Sequence, residues 1–99
     1  MKIRILQSAF GDLDDGAAFY ERQAEGLGSY FSSSLIADID SLKLYAGIHR
    51  VVRGYHRMLS KRFPYAIYYK LEDDCAVVHA VLDCRRRPSW ITRQLRDRD

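Results

Sequence analysis

Residues 62–83, read Arg-Phe-Pro-Tyr-Ala-Ile-Tyr-Tyr-Lys-Leu-Glu-Asp-Asp-Cys-Ala-Val-Val-His-Ala-Val-Leu-Asp, constrain this chain more than any other stretch. They are rich in β-branched and aromatic residues and are broken once, by the acidic cluster Glu72-Asp73-Asp74. That pattern predicts two strands joined by a tight connection. A hairpin this apolar is not stable alone in water and needs a partner layer. Pro64 suits the start of its first strand, where a missing N–H is tolerated.

The preceding sequence supplies that layer. Ile3 and Ile5 alternate with charged residues in a short first strand. Ser8 or Asp12 is the expected cap of a following helix, with Asp14 and Asp15 at its positive N-terminal end. Its apolar stripe is Leu13, Ala17, Tyr20 and Ala24. Gly26-Leu27-Gly28 breaks it, and a second helix starts near Ser29 with the stripe Phe31, Leu35, Ile39, Leu42 and Ala46, ending at Gly47. Two helices with so short a link form an antiparallel hairpin. A connection over 48–54 leads to a strand over 55–61. That strand carries Arg57, Leu59 and Lys61 on one face and His56, Met58 and Ser60 on the other. Pro88 ends the last strand, and 89–99 is a polar tail or short helix.

The expected order is β-α-α-β-β-β. It gives an α+β fold in which an antiparallel sheet packs on an α-helical hairpin, with a short C-terminal tail or helix. A length of 99 residues points to a single domain spanning 1–99. No segment reads as a membrane span or secretory leader, so the expected location is the cytoplasm, away from membranes. Cys75 and Cys84 fall near opposite ends of one expected strand. Nine residues at about 3.3 Å each separate them by roughly 30 Å. A disulfide needs Cα atoms within about 7 Å, so both are read as reduced thiols.

Most standard catalytic arrangements are missing. Gly26-Leu27-Gly28 lacks the lysine and further glycine of a phosphate-binding loop. His49, His56 and His79 lack metal-ligand spacing, so no metal or cofactor is expected. His79 alternates with Val77 and Val81 and reads as a sheet histidine with its needs met. The acidic pairs have structural roles as a turn and a helix start.

Charge is the stronger signal. Residues 1–40 hold three basic and seven acidic side chains, a net of −4, whereas 41–99 hold thirteen basic and six acidic, a net of +7. The basic half suits a polyanion or an acidic protein. Arg57 and Lys61 on one strand, with Arg85, Arg86, Arg87 and Trp90 after the hairpin, form the candidate target- or nucleic-acid-binding set. Antiparallel pairing brings 85–87 back beside 62–65. Guanidinium groups among aromatic rings suit phosphates and unstacked bases. A solvated, charge-guarded sheet edge is the plainer alternative.

Three runs carry a family resemblance. Residues 19–31, Phe-Tyr-Glu-Arg-Gln-Ala-Glu-Gly-Leu-Gly-Ser-Tyr-Phe, resemble the helix junction of the RelE/ParE toxin superfamily, and Asp12-Leu13 resembles its first-helix start. Residues 62–69 resemble its central strand, and 78–88, ending Asp83-Cys84-Arg85-Arg86-Arg87-Pro88, resemble its closing strand. The resemblance implies the toxin of a type II toxin–antitoxin module, neutralised by a cognate antitoxin. The assemblies it allows are a homodimer or a toxin–antitoxin hetero-oligomer. RelE-like members cleave messenger RNA on the ribosome, using a basic cluster and often a C-terminal Tyr or His. ParE-like members inhibit DNA gyrase and are not known as nucleases. Here no tyrosine follows Tyr69, and Asp83 stands where the family usually has His. The expectation is therefore a ParE-like, plasmid-stabilisation type of toxin acting on gyrase, with no confidently assigned catalytic residue. The alternative is a ribosome-dependent mRNA endonuclease, and a third reading is an inactive relative that only binds antitoxin. The antitoxin is expected in a groove across the helical hairpin and the sheet edge, as an acidic segment that folds on binding.

Overall fold

A computed structural model describes residues 1–98. Residue 99, the end of the expected tail, lies outside the described residues. The elements run β1 (Lys2–Ile5), α1 (Gln7–Glu21), α2 (Leu27–Asp40), α3 (Leu42–Tyr45), β2 (Val51–Val52), β3 (Tyr55–Leu59), β4 (Tyr65–Glu72), β5 (Cys75–Asp83) and α4 (Pro88–Asp97). They build an α+β fold on a five-stranded sheet ordered β1-β5-β4-β3-β2. The β4–β5 hairpin is the centre of that sheet, with Tyr65 opposite Asp83 and Glu72 opposite Cys75. Its connection is the two-residue turn Asp73-Asp74, Asp73 taking the left-handed φ of +57°. Glu72 belongs to the strand.

The sheet is antiparallel from β2 to β5, but β1 pairs with β5 in parallel. Four residues of alternating pattern carry no orientation signal. The direction follows from the path: the chain leaves β1 straight into α1, with the Leu6 amide donating to the Val78 carbonyl. That immediate entry also moves the helix start. α1 begins at Gln7 after Leu6, so neither Ser8 nor Asp12 caps it, and Asp14 and Asp15 sit mid-helix. Ser8 Oγ instead donates to the His79 carbonyl at 2.9 Å, and Asp12 Oδ2 accepts the Val81 amide at 2.9 Å. Ala24 falls beyond the helix end and is exposed.

The helical hairpin forms as expected. Gly28 is buried because its Cβ position would lie 2.5 Å from the Ala17 carbonyl oxygen, so only glycine lets α1 and α2 approach this closely. Glu21 reaches across the link, its carboxylate accepting the Gly26 and Gly28 amides at 3.0 and 2.9 Å. These bonds hold the carboxyl below its ordinary pKa. Phe31, Leu35, Ile39 and Leu42 pack with Leu13 and Tyr20 on Ile67, Tyr69, Val78 and Val81 of the sheet. The second helix is interrupted at Ser41, so Leu42 belongs to α3.

The second face of the sheet is also covered. Tyr55, Ala66, Tyr68, Ala80 and Leu82 pack against Ile91 and Leu95 of α4, and the Tyr55 hydroxyl donates to the Leu95 carbonyl at 2.9 Å. Pro88 therefore opens this helix rather than closing β5, a position where its missing amide proton costs nothing. A register shift between Tyr68 and Tyr69 leaves His79 as an extra residue in β5. The bulge corrects the expected alternation, since Val81 joins Val78 on the hairpin face. His79 is buried with its ring edge-on to Tyr55 at 5.3 Å.

β1 reaches along β5 only to Val78, leaving the bulge region without a strand on that side. Side chains satisfy it. Asp12 takes the Val81 amide, and the His79 carbonyl accepts from Ser8 and from Arg98 Nη1. Arg98 also forms a two-pronged ion pair with Asp12, 2.9 Å on one arm, which ties α4 to α1 across the end of the bulge. Cys75 opens β5 and Cys84 follows it, both as free thiols. Among the described residues no helix is long and apolar enough to cross a membrane, and no group of His, Cys, Asp and Glu is placed to hold a metal ion.

Candidate functional site

The exit of β5 and the entry of β4 lie together, as antiparallel pairing predicts. Tyr65 opposes Asp83, and the Cys84 amide donates to the Pro64 carbonyl at 2.8 Å. From there the arginine run turns into α4, with the Arg87 carbonyl accepting the Trp90 and Ile91 amides. Each predicted basic residue has its own surroundings.

Asp83 and Arg85 neutralise one another. The Arg85 Nε and Nη2 donate to the two Asp83 oxygens at 3.0 and 2.8 Å, and the Arg85 amide adds a third bond at 2.9 Å. Burial disfavours the Asp83 carboxylate, but the Arg85 bonds outweigh it and leave the pKa below the ordinary value. The same bonds raise that of Arg85. Tyr65 beside this pair is pushed up to about 12 by burial and by the Asp83 charge, so its hydroxyl keeps its proton. Arg86 lies 3.8 Å over the Trp90 ring, a cation–π stack. Arg87 is exposed at the start of α4.

Arg57 sits on the α4 side of β3. Its Nε donates to the Tyr68 hydroxyl at 3.2 Å, and its Nη2 approaches Cys84 Sγ at 3.6 Å. The Tyr68 bond raises the guanidinium pKa, while burial raises that of the Cys84 thiol despite the nearby charge. Cys84 is therefore a protonated thiol at neutral pH and a poor nucleophile.

Lys61 does not share a strand face with Arg57, as expected from alternation. β3 ends at Leu59, and Asp38 of α2 turns the chain away. Its Oδ2 accepts the Ser60 hydroxyl at 2.7 Å and the Lys61 amide at 3.3 Å. Lys61 thus borders a different groove, on the α2–α3 side, with Tyr45, Ile48, His49 and Met58. Arg57, Arg85, Arg86, Arg87 and Trp90 remain around the β5–α4 turn.

Two features of this surface were missed from sequence. Arg53 occupies a left-handed position (φ +54°) beside Gly54 (φ +83°) in the two-residue turn between β2 and β3. Its Nε donates to Thr92 of α4 at 2.8 Å. The pair Arg53-Gly54 between Val52 and Tyr55 was the available signal for a tight hairpin. The second is a cleft of about 480 Å³ between α1 and α4, bordered by Asp12, Asp15, Phe19, Arg86, Trp90 and Arg98. It brings together residues up to 86 positions apart, which no local pattern reveals.

The histidines belong elsewhere. His49 Nδ1 bonds the Tyr69 hydroxyl, and His56 stacks on the Tyr69 ring at 5.0 Å. The Gly47 amide also donates to that hydroxyl, at 2.9 Å. The basic surface therefore holds strong, permanently charged donors, a carboxylate clamped as its anion, and protonated hydroxyl and thiol groups. Such a set binds anions and aromatic surfaces well. It is poorly equipped to take a proton from a ribose hydroxyl near neutral pH.

No protein-family model matches the chain, and no curated protein does. Among solved structures, a chain described as the chromosomal ParDE TA system from P. aeruginosa is similar in fold, with a TM-score of 0.72 and 17% sequence identity over 82% of this chain and 92% of that one.

Proposed function

We propose that this protein is the toxin of a type II toxin–antitoxin module, of the ParE-like kind that inhibits DNA gyrase, held inactive by a cognate antitoxin. The observation that carries the module is the fold shared with a chain from a ParDE toxin–antitoxin system. The order of the three RelE/ParE-like sequence runs along that fold supports the same reading. The gyrase side is supported by Asp83. Where a nuclease relative would present an imidazole, this chain presents a carboxylate locked to Arg85 by two side-chain bonds. A target contact through Arg86, Arg87, Trp90 and the outer face of α4 needs charge and aromatic surface, and both are present.

The test is induced expression in bacteria. Growth should arrest, and co-expression of a small acidic protein encoded beside the toxin should restore it. Growth unaffected by well-expressed, folded protein would remove the toxin reading and leave a binding-only relative. The mRNA-endonuclease reading keeps support from Arg57, whose charge is fixed and whose bond to Tyr68 orients it on the sheet. It requires ribosome-dependent cleavage that Arg57→Ala abolishes.

A further inference from the structure

The cleft of about 480 Å³ between α1 and α4 holds groups that no role described above uses. Asp12, Asp15 and Phe19 lie on successive turns of one face of α1, spread over roughly 10 Å at about 1.5 Å per residue. Trp90 and Gln94 of α4 face them, and the Asp12–Arg98 ion pair closes one end. Phe19, Trp90 and Arg86 stand toward the other. The floor is the outer edge of β5, past the end of β1, with Tyr65 beside it. Tyr65 is only 8% exposed, and its hydroxyl has no hydrogen-bond partner among the described residues. The charges that act on it include Asp12 and Asp83, which both border the cleft, and with burial the Asp83 charge keeps it protonated. Buried hydroxyls normally have a partner, so this one marks a place for a ligand acceptor. A second donor lies nearby. The Val81 amide points outward to Asp12 and the Cys84 amide inward to the Pro64 carbonyl, so alternation turns the Asp83 amide to the outer edge.

We propose that this cleft binds a free α-amino acid with an aromatic side chain. The inference goes beyond the toxin reading and does not rest on it. Charge selects the ligand. Asp12 is paired with Arg98 and Asp83 with Arg85, so those charges cancel within the protein. Two charged side chains remain, and neither makes a hydrogen bond or ion pair among the described residues: Asp15 on the α1 wall and Arg86 on the α4 wall. One free carboxylate across from one free guanidinium matches a zwitterion. The ligand carboxylate meets Arg86, the Tyr65 hydroxyl and the Asp83 amide, and its ammonium group meets Asp15. Its ring lies between Phe19 and Trp90. Arg86 is kept at its post by its stack on Trp90 at 3.8 Å. A nucleotide would set its phosphates against Asp12, Asp15 and Asp83, and a polyamine would meet Arg86 and Arg98. The volume falls in the range of small-molecule sites, about 300–1,000 Å³.

The test titrates the full chain with L-phenylalanine and reads the fluorescence of Trp90, the single tryptophan, which stands in the cleft wall. The signal should change and saturate. Phenethylamine lacks the carboxylate and hydrocinnamate lacks the ammonium group, so each should bind roughly tenfold more weakly or worse, the scale of a lost charged hydrogen bond. Tyr65→Phe removes a hydroxyl that no protein group uses, so it should keep the fold and weaken L-phenylalanine about threefold to tenfold. Asp15→Asn, at an exposed helix position, should erase the preference for L-phenylalanine over hydrocinnamate. Circular dichroism checks both variants, and the probe series on the parent protein decides by itself where a variant does not fold. No saturable change at tens of millimolar, equal binding of the three probes, unchanged binding to folded Tyr65→Phe, or tighter binding of adenosine monophosphate would each overturn the inference.

Discussion

The Asp12–Arg98 pair gives the sharpest energetic prediction. Both side chains are largely buried, 12% and 17% exposed, and they join the first helix to the last across the His79 bulge. Asp12→Ala removes three hydrogen bonds at once, the one from the Val81 amide and the two from Arg98, which share the two carboxylate oxygens. An orphaned buried amide costs about 1–3 kcal/mol. Breaking a buried ion pair costs about 3–5 kcal/mol. The lower part of that range applies here, because Arg98 keeps Gln94 Oε1 at 3.1 Å and the His79 carbonyl at 3.3 Å. The expected loss is about 3 kcal/mol, a large fraction of the roughly 5–15 kcal/mol available to a domain of this size. At about 4–8 °C per kcal/mol the midpoint should fall by at least about 12 °C. Asp12→Asn retains an acceptor for Val81 and should lose about half as much, on the scale of a single hydrogen bond to a charged group. Urea unfolding by circular dichroism measures both. An Asp12→Ala variant within about 0.5 kcal/mol of the parent, the range of ordinary surface changes, would refute the argument that this pair closes the sheet's open end.

Three further outcomes follow from the same geometry. His49 has a lowered pKa because it is partly buried and because His56 is near, so the unfolded chain binds its proton more readily. Its contribution is complete above its ordinary value of 6.5 and is lost as pH falls from there toward the folded value; stability of His49→Gln should change less with pH across that window, and parallel curves would contradict the assignment. Gly28→Ala places a methyl group 2.5 Å from the Ala17 carbonyl and should destabilise by about 1–3 kcal/mol, the usual cost of overpacking, measured by thermal unfolding. At Gly11 a Cβ meets nothing within 4 Å, so Gly11→Ala should be neutral or stabilising, by up to about 1 kcal/mol, inside α1.

The helical hairpin and the β4–β5 hairpin were legible because their periods are strong. Phe31, Leu35, Ile39 and Leu42 form a helical stripe, and the strand run is dense in β-branched and aromatic residues. The bulge at His79 was hidden for the same reason. Residues 76–78 and 80–82 are apolar on both faces, so a slip in alternation leaves no trace. β1's parallel pairing and the docking of α4 depend on contacts across the whole chain, Asp12 with Arg98 above all. Lys61 was misplaced because alternation was carried past the end of β3, where a carboxylate on another helix takes over. At the candidate site, the cluster of Arg85, Arg86, Arg87 and Trp90 was visible as composition. That Arg86 stacks on Trp90 was not.

Under the proposed function, the basic surface at the β5–α4 turn would act by binding gyrase and not by cleaving RNA. Adding purified protein to gyrase with relaxed plasmid tests it most directly, beside a ribosome-dependent mRNA cleavage assay on the same sample. Supercoiling should fall with protein concentration, Arg86→Glu/Arg87→Glu should restore it, and mRNA should remain intact. Unimpaired supercoiling at excess protein, together with cleaved mRNA, would contradict the account.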